Sequence, residues 1–296
     1  MEFRQLRYFL AVAQTLHFTK AAELMGIAQP PLSQQIQKLE REIGTRLFIR
    51  HQRHVELTEA GLFFKERAQK ILAETDRALS EIKKVARGES GRLSVGFAGS
   101  TVFHSLIAAA MQTYRRAFPE VVIHSTESNS TALLSKVQDA ELDCAIVRLP
   151  LQVGDLCCQP IVAEPMIAVL PSEHACARQE TIDLALLAAD DFIAFPRDIG
   201  PQLYDSILFA CHQAGFSPRI SMESPQISSS INLVAAGFGV AIIPASLTSI
   251  RVDGVSFHPL QQPLTTGLGL IYRNHEKSAL TQHFIKTVRD AGQVAR

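Results

Sequence analysis

Between Phe18 and Lys38 the chain reads FTKAAELMGIAQPPLSQQIQK, and its polar residues fall where they could read nucleic acid. Ile27, Leu32 and Ile36, extended by Leu39, recur at helical spacing and define an inward face. Gln29, Ser33, Gln34, Gln37 and Lys38 are left on the outward one. Amides and hydroxyls can pair with base edges in a major groove, and a lysine can meet phosphate. A plain solvated helix more often alternates Glu with Lys. Pro30 and Pro31 suit the first turn of this helix, where a missing N–H costs little. Ala21 and Ala22 are small, as a close helix crossing demands, and Gly26 permits the positive φ of a tight turn. Thr19 is expected to cap the first helix and to stand among the DNA-facing residues. The pattern is that of a helix-turn-helix. Beyond it, LFIRHQRHVELT reads as a two-stranded wing whose tip is bracketed by Arg50 and Arg53. An arginine there can enter a narrow minor groove; the alternative is an ordinary basic hairpin.

A second set of residues could bind a small anion. Ser100 and Thr101 follow one strand-like run and open a helix, as Ser130 does after the next. Arg148 ends a third strand, and Pro201-Gln202-Leu203 open a helix after FIAFPRD. Ligands of open α/β sheets bind beyond the carboxyl ends of strands, where helix N-termini present amides. Hydroxyls from two such N-termini across one cleft could cradle a carboxylate. The alternatives are that Ser100 and Ser130 are helix caps, and that Arg148 serves a buried ion pair.

These residues need elements to hold them. Short amphipathic helices run from Arg4 to Leu57, followed by an uninterrupted helical stretch to Arg87 that Gly88 terminates. Thr58 is placed to cap it. Within it, Phe64, Ala68, Ile71, Thr75, Ala78, Ile82 and Val85 alternate spacings of four and three, the a/d seam of a coiled coil. Pairing of two chains along this seam is expected; the alternative is a helix packed on its own domain. From Leu93 onwards, strand-like and helical runs alternate, which argues for parallel α/β layers in two lobes. The expected domains are 1–58, a linker helix 59–90 and an α/β unit 91–296, with lobe I at 91–161 and 268–296 and lobe II at 162–267.

Composition narrows the function classes. At 47% hydrophobic and 20% charged residues, the chain can bury a sizeable core. The zero net charge conceals an asymmetry: 15 Lys/Arg face 10 Asp/Glu through residue 88, and the remaining 14 face 19. A basic head on an acidic body suits contact with a polyanion. No apolar run is long enough to span a membrane. The opening residues carry charge and lack a small-residue cleavage site, so no secretory signal is expected. Five irregularly placed cysteines suit a reducing cytoplasm. No G-x-S-x-G elbow, P-loop or H-E-x-x-H is present, and Gly237-Phe238-Gly239 follows a helix rather than a strand. Neither catalysis nor a bound metal or cofactor is expected. A periplasmic solute-binding protein is disfavoured by the basic head, and a thiol-based redox sensor by the lack of basic residues flanking a cysteine pair.

Together, RQLRYFLAVA, AAELMGIAQPPLSQQIQKLEREIGTRLFIR and LTEAG resemble the LysR-type transcriptional regulators, closely over the first 65 residues and in layout throughout. GFAGS and VAAGFGVAIIPAS are similar to the branch that responds to aromatic acids and their ring-cleavage products, and features are shared with acetate-responsive members. The resemblance implies a winged helix-turn-helix, a dimerising linker helix and a sensor of two Rossmann-like lobes related to type 2 periplasmic binding proteins. It further implies a dimer of dimers, a small organic-acid effector without a cofactor, promoter DNA as partner and contact with RNA polymerase. DNA contacts carry over to Gln29, Pro30, Pro31, Ser33, Gln34 and Arg53, and inducer contacts to Ser100, Ser130, Pro201 and Leu203. Ala28 stands where the family often has Ser, Gln34 where it often has Arg, and Leu203 where the aromatic-acid branch often has an aromatic.

Overall fold

The computed structural model describes residues 1–51 and 54–294. The chain forms two compact units, 1–84 and 85–296, and one helix passes from the first to the second.

In the first unit, α1 (Phe3–Thr15), α2 (Phe18–Leu24) and α3 (Gln29–Ile43) turn their apolar stripes onto one core built from Leu6, Phe9, Val12, Ala21, Leu32, Ile36 and Leu39. Gly26 adopts φ +69° at the turn between α2 and α3, a conformation that side chains with a Cβ resist. The α2 cap differs from expectation. His17 is the capping residue, its Nδ1 accepting the Thr19 N–H at 3.2 Å, and Thr19 lies inside the helix. An imidazole two residues before the amide reaches it as well as a hydroxyl would.

Strands β1 (Phe48–Arg50) and β2 (Val55–Leu57) pair antiparallel, with Phe48 opposite Leu57 and Arg50 opposite Val55. Helix α4 (Glu59–Ala86) follows; Thr58 Oγ1 accepts the Gly61 N–H at 2.9 Å, as a capping residue should. Gly61 admits no side chain, because a Cβ there would lie 2.1 Å from the Leu47 carbonyl oxygen. The first turns of α4 belong to the head: Ala68 is fully buried in its core and the Phe64 ring meets Phe9 edge-on at 4.9 Å. Two residues of the expected inter-chain seam are therefore already consumed within the chain. Further along, Ile82 and Val85 are 65% and 60% exposed, far more than isolated apolar side chains of a monomer core would be.

The second unit contains a seven-stranded sheet ordered β10-β6-β11-β5-β3-β4, with β9 also on β6, and a two-stranded pair of β7 and β8. Strand β3 (Ser90–Ala98) runs parallel to β4 (Glu120–Ser128) and β5 (Cys144–Leu149). The long strand β6 (Cys157–Pro171) pairs antiparallel with β11 (Thr265–Tyr272) through its first half, and with β9 (Ala241–Pro244) and β10 (Val255–Pro259) through its second. Strands β7 (Asp191–Ala194) and β8 (Arg219–Glu223) are parallel. The all-parallel layering expected from strand–helix alternation is thus corrected to a mixed sheet. Within β6, Pro160 sits beside the register shift at Leu268/Gly269, where a missing N–H is tolerated.

Two cores result. Leu93, Val95, Ile146, Leu270 and the helices α5 (Ser105–Ala117), α6 (Ser130–Gln138) and α9 (Ala279–Val294) pack on one half of the sheet. Met166, Leu170, Phe192, Ile242 and Val234 pack with α7 (Pro201–Gln213) and α8 (Ser230–Ala235) on the other. Strand β6 is common to both, so the two lobes share a backbone hinge rather than a flexible linker.

Candidate DNA-reading surface and effector cleft

Helix α3 presents a surface of unengaged polar groups. Leu32, Ile36 and Leu39 are fully buried, which turns Gln29, Pro30, Pro31, Gln34, Gln37 and Lys38 to solvent and leaves Ser33 half-buried. Among the described residues, the side-chain amides of Gln29, Gln34 and Gln37 make no hydrogen bond, whereas Gln35, on the inner flank, bonds Gln5 at 3.3 Å. Thr19 is exposed. Lys38 lies 3.6 Å from Glu2 in an exposed ion pair, a contact worth little and easily surrendered to a phosphate. Arg50 is held more firmly: its guanidinium stacks 4.7 Å over Phe18, donates to Ser33 Oγ at 3.4 Å and pairs with Glu40 at 3.6 Å. Glu40 in turn accepts from the Leu47 and Phe48 amides, tying hairpin to helix. Arg53 lies outside the described residues.

The second unit holds a cleft between its lobes that is open to solvent. Ser100, Asn129, Ser130 and Arg148 line one side; Phe195, Ile199, Leu203 and Ile227 line the other, with Gln226 above. Its base is a buried ion pair. Arg148 bonds Glu164 through Nη1 and Ser100 Oγ through Nε and Nη2, at 3.2 and 3.0 Å. Glu164 also accepts from the Ser246 amide at 2.7 Å, so β5, β6 and the turn after β9 are joined. Burial pulls the Arg148 pKa below its ordinary range and the Glu164 charge pushes it back, which leaves a guanidinium whose charge is spent inside the protein. Arg148 therefore forms the buried ion pair and at the same time lines the cleft.

The sequence-level candidates divide geometrically. Ser100, Ser130, Arg148 and Leu203 line the cleft; Thr101, Pro201 and Gln202 do not. Ser100 and Thr101 were expected to open a helix. They open a one-turn 3-10 segment instead, and α5 begins at Ser105, with His104 as its cap. Ser130 is not a cap either: Asn129 caps α6, while Ser130 Oγ accepts the Arg148 N–H at 3.1 Å. Phe195, Ile199, Gln226 and Ile227 were missed. Phe195 was visible as the inward end of FIAFP; Gln226 sits in an irregular loop and gave no signal.

Both halves of this arrangement match known families. Residues 3–62 match the bacterial regulatory helix-turn-helix proteins of the lysR family, and residues 86–293 match the LysR substrate binding domain. The chain belongs to the LysR family of transcriptional regulators. It is 42% identical to the HTH-type transcriptional regulator BudR of Raoultella terrigena over 97% of this chain and 99% of that protein. It is 31% identical to BenM of Acinetobacter baylyi over 98% and 95%. The crystal structure of CbnR, a LysR family regulator, superposes with a TM-score of 0.86 at 27% identity, covering 98% of this chain and all of that one. As a LysR regulator the protein is not an enzyme, and its second unit is an effector-binding domain. No helix among the described residues is long and apolar enough to cross a membrane.

Proposed function

We propose that this LysR regulator binds promoter DNA through the outward face of α3 and the wing, and that a small organic acid seated between the lobes switches its action there. The observation that carries the reading is the cleft: hydroxyls and a helix N-terminus on one wall, apolar side chains on the other. Ser100 and Ser130 with the α6 amides suit a carboxylate, and Phe195, Leu203 and Ile227 suit a short hydrocarbon body. Because Arg148 is neutralised by Glu164, the site offers polar donors rather than net positive charge.

The exposed row Ile71, Ala78, Ile82 and Val85 supports pairing of two chains along α4, and the family layout supports a dimer of dimers that acts in the cytoplasm and meets RNA polymerase at the promoter. The effector shifts a population between two arrangements of the DNA-binding heads, which requires that it bind one of them more tightly.

Differential scanning of the full-length protein with aromatic acids, their ring-cleavage diacids and acetate tests this. One class should raise Tm and change the operator footprint, and Ser130→Ala should abolish both responses. If no carboxylate moves either signal, the organic-acid reading is wrong.

A further inference from the structure

The wing carries a second cluster that the DNA-reading role does not use. His51 and His54 face each other just beyond the paired strands β1 and β2, the His51 N–H donating to the His54 carbonyl at 3.0 Å. Strand alternation places their side chains, with Glu56 two residues on, on one face of the ribbon. Arg50 and Val55 occupy the other face, turned toward α3 and the core. The two imidazoles stack at 4.2 Å with their planes 13° apart. Their Nε2 atoms converge on a single carboxylate oxygen, Glu56 Oε1, at 3.9 and 2.9 Å.

We propose that this hairpin face is a binding site for a borderline divalent transition metal, Zn²⁺ or Cu²⁺, ligated by His51, His54 and Glu56. The donor set is the one these ions prefer, two imidazole nitrogens and one carboxylate oxygen. The three donor atoms already lie within 4.8 Å of one another. Tetrahedral zinc with bonds of about 2.0–2.1 Å needs its ligands about 3.3 Å apart, so a rotation of exposed side chains closes the set without moving the backbone. The cross-strand pair is fixed by the hairpin register, which lowers the entropy lost on chelation. Three protein ligands leave a fourth position to water or to a ligand from outside. The H-x-x-H-x-E spacing of residues 51–56 matches no helical zinc signature, because here the strand period, not the helical one, brings the ligands together.

The test is a zinc titration of untagged, chelator-stripped, full-length protein against a chromophoric competitor. One zinc per chain is expected to depend on the wing. His51→Gln and His54→Gln should each weaken it at least about tenfold, since loss of even a ligand's supporting partner can do as much. His275→Gln, at an exposed histidine elsewhere, should leave it unchanged. Circular dichroism checks that the exposed substitutions leave the fold intact. Copper loaded in place of zinc should show coupling to two imidazole nitrogens in electron paramagnetic resonance. Zinc binding that survives in the H51Q/H54Q double variant, or a copper spectrum with no nitrogen coupling, overturns the proposal.

Discussion

Helix α3 and the inter-lobe cleft both display polar side chains, but they treat them oppositely. On α3 the side-chain amides of Gln29, Gln34 and Gln37 make no bond among the described residues, while the helix is held from its other side by Leu32, Ile36 and Leu39 and by the bonds of Gln35 and Glu40. In the cleft, Arg148, Glu164, Ser100, Ser130 and Ser246 bond one another. A surface that must read a partner keeps its groups unspent; a wall that must hold two lobes in register spends them. Function and stability should therefore separate under mutation in one region and coincide in the other.

The largest effect is expected at the cleft base. Arg148→Met leaves the Glu164 carboxylate buried without its guanidinium, which costs about 3–5 kcal/mol. In a domain of this size that lowers Tm by roughly 10 °C. Replacing both partners, as in R148M/E164L, should recover much of the loss, because no uncompensated charge is then buried. Calorimetry of the second unit's transition decides it. If Arg148→Met alone shifts Tm no more than a surface substitution does, the pair is not what holds the lobes.

On α3 the outcome should invert. Gln29→Ala and Ser33→Ala are each expected to weaken operator binding by about 1–3 kcal/mol, the worth of a lost base contact. Folding stability of Gln29→Ala should stay within about 0.5 kcal/mol, as at other exposed positions, and Ser33→Ala should lose only its bond from Arg50 besides, on the order of 1 kcal/mol. Fluorescence anisotropy with operator and with scrambled duplex separates the two: specific affinity should fall and non-specific affinity should hold. Equal loss on both duplexes would mean these residues meet backbone rather than bases.

The same contrast governs what was legible in the sequence. The helix-turn-helix could be read because its signals are local: a 3.6-residue apolar period, a glycine at the turn, prolines in a first turn. The ends of α2 and α5 could not, because histidine caps, His17 and His104, stand in for the hydroxyl or carboxamide that such positions usually carry. The linker was legible as one uninterrupted helix, yet heptad spacing cannot say that Ala68 is taken by the chain's own core. The cleft was the least readable, since it depends on contacts distant in sequence. Arg148 and Glu164 belong to neighbouring strand runs, but Ser246 and Gln226 arrive from lobe II, and nothing periodic links them.

The smallest effect concerns the cysteines, which belong to the spent class. Burial raises the Cys144 thiol pKa above its ordinary range, with Asp143 adding to it; burial also raises Cys158, with Cys157 adding to it. Burial alone pushes Cys211 up to about 11. A raised pKa keeps the thiol protonated: at pH 7.5 a group titrating near 11 is about 0.03% thiolate, against about a tenth for an unperturbed one. Since the thiolate is what peroxide attacks, these positions should be slow to oxidise. The partly exposed Cys157 donates its S–H to Asn274 Oδ1 at 2.9 Å. Peroxide treatment should then leave operator affinity within about twofold, with most chains unmodified by intact mass. A loss of affinity that a thiol reductant reverses would place a working switch among groups that the fold has otherwise committed to packing, and the division between spent and unspent residues would fail at that point.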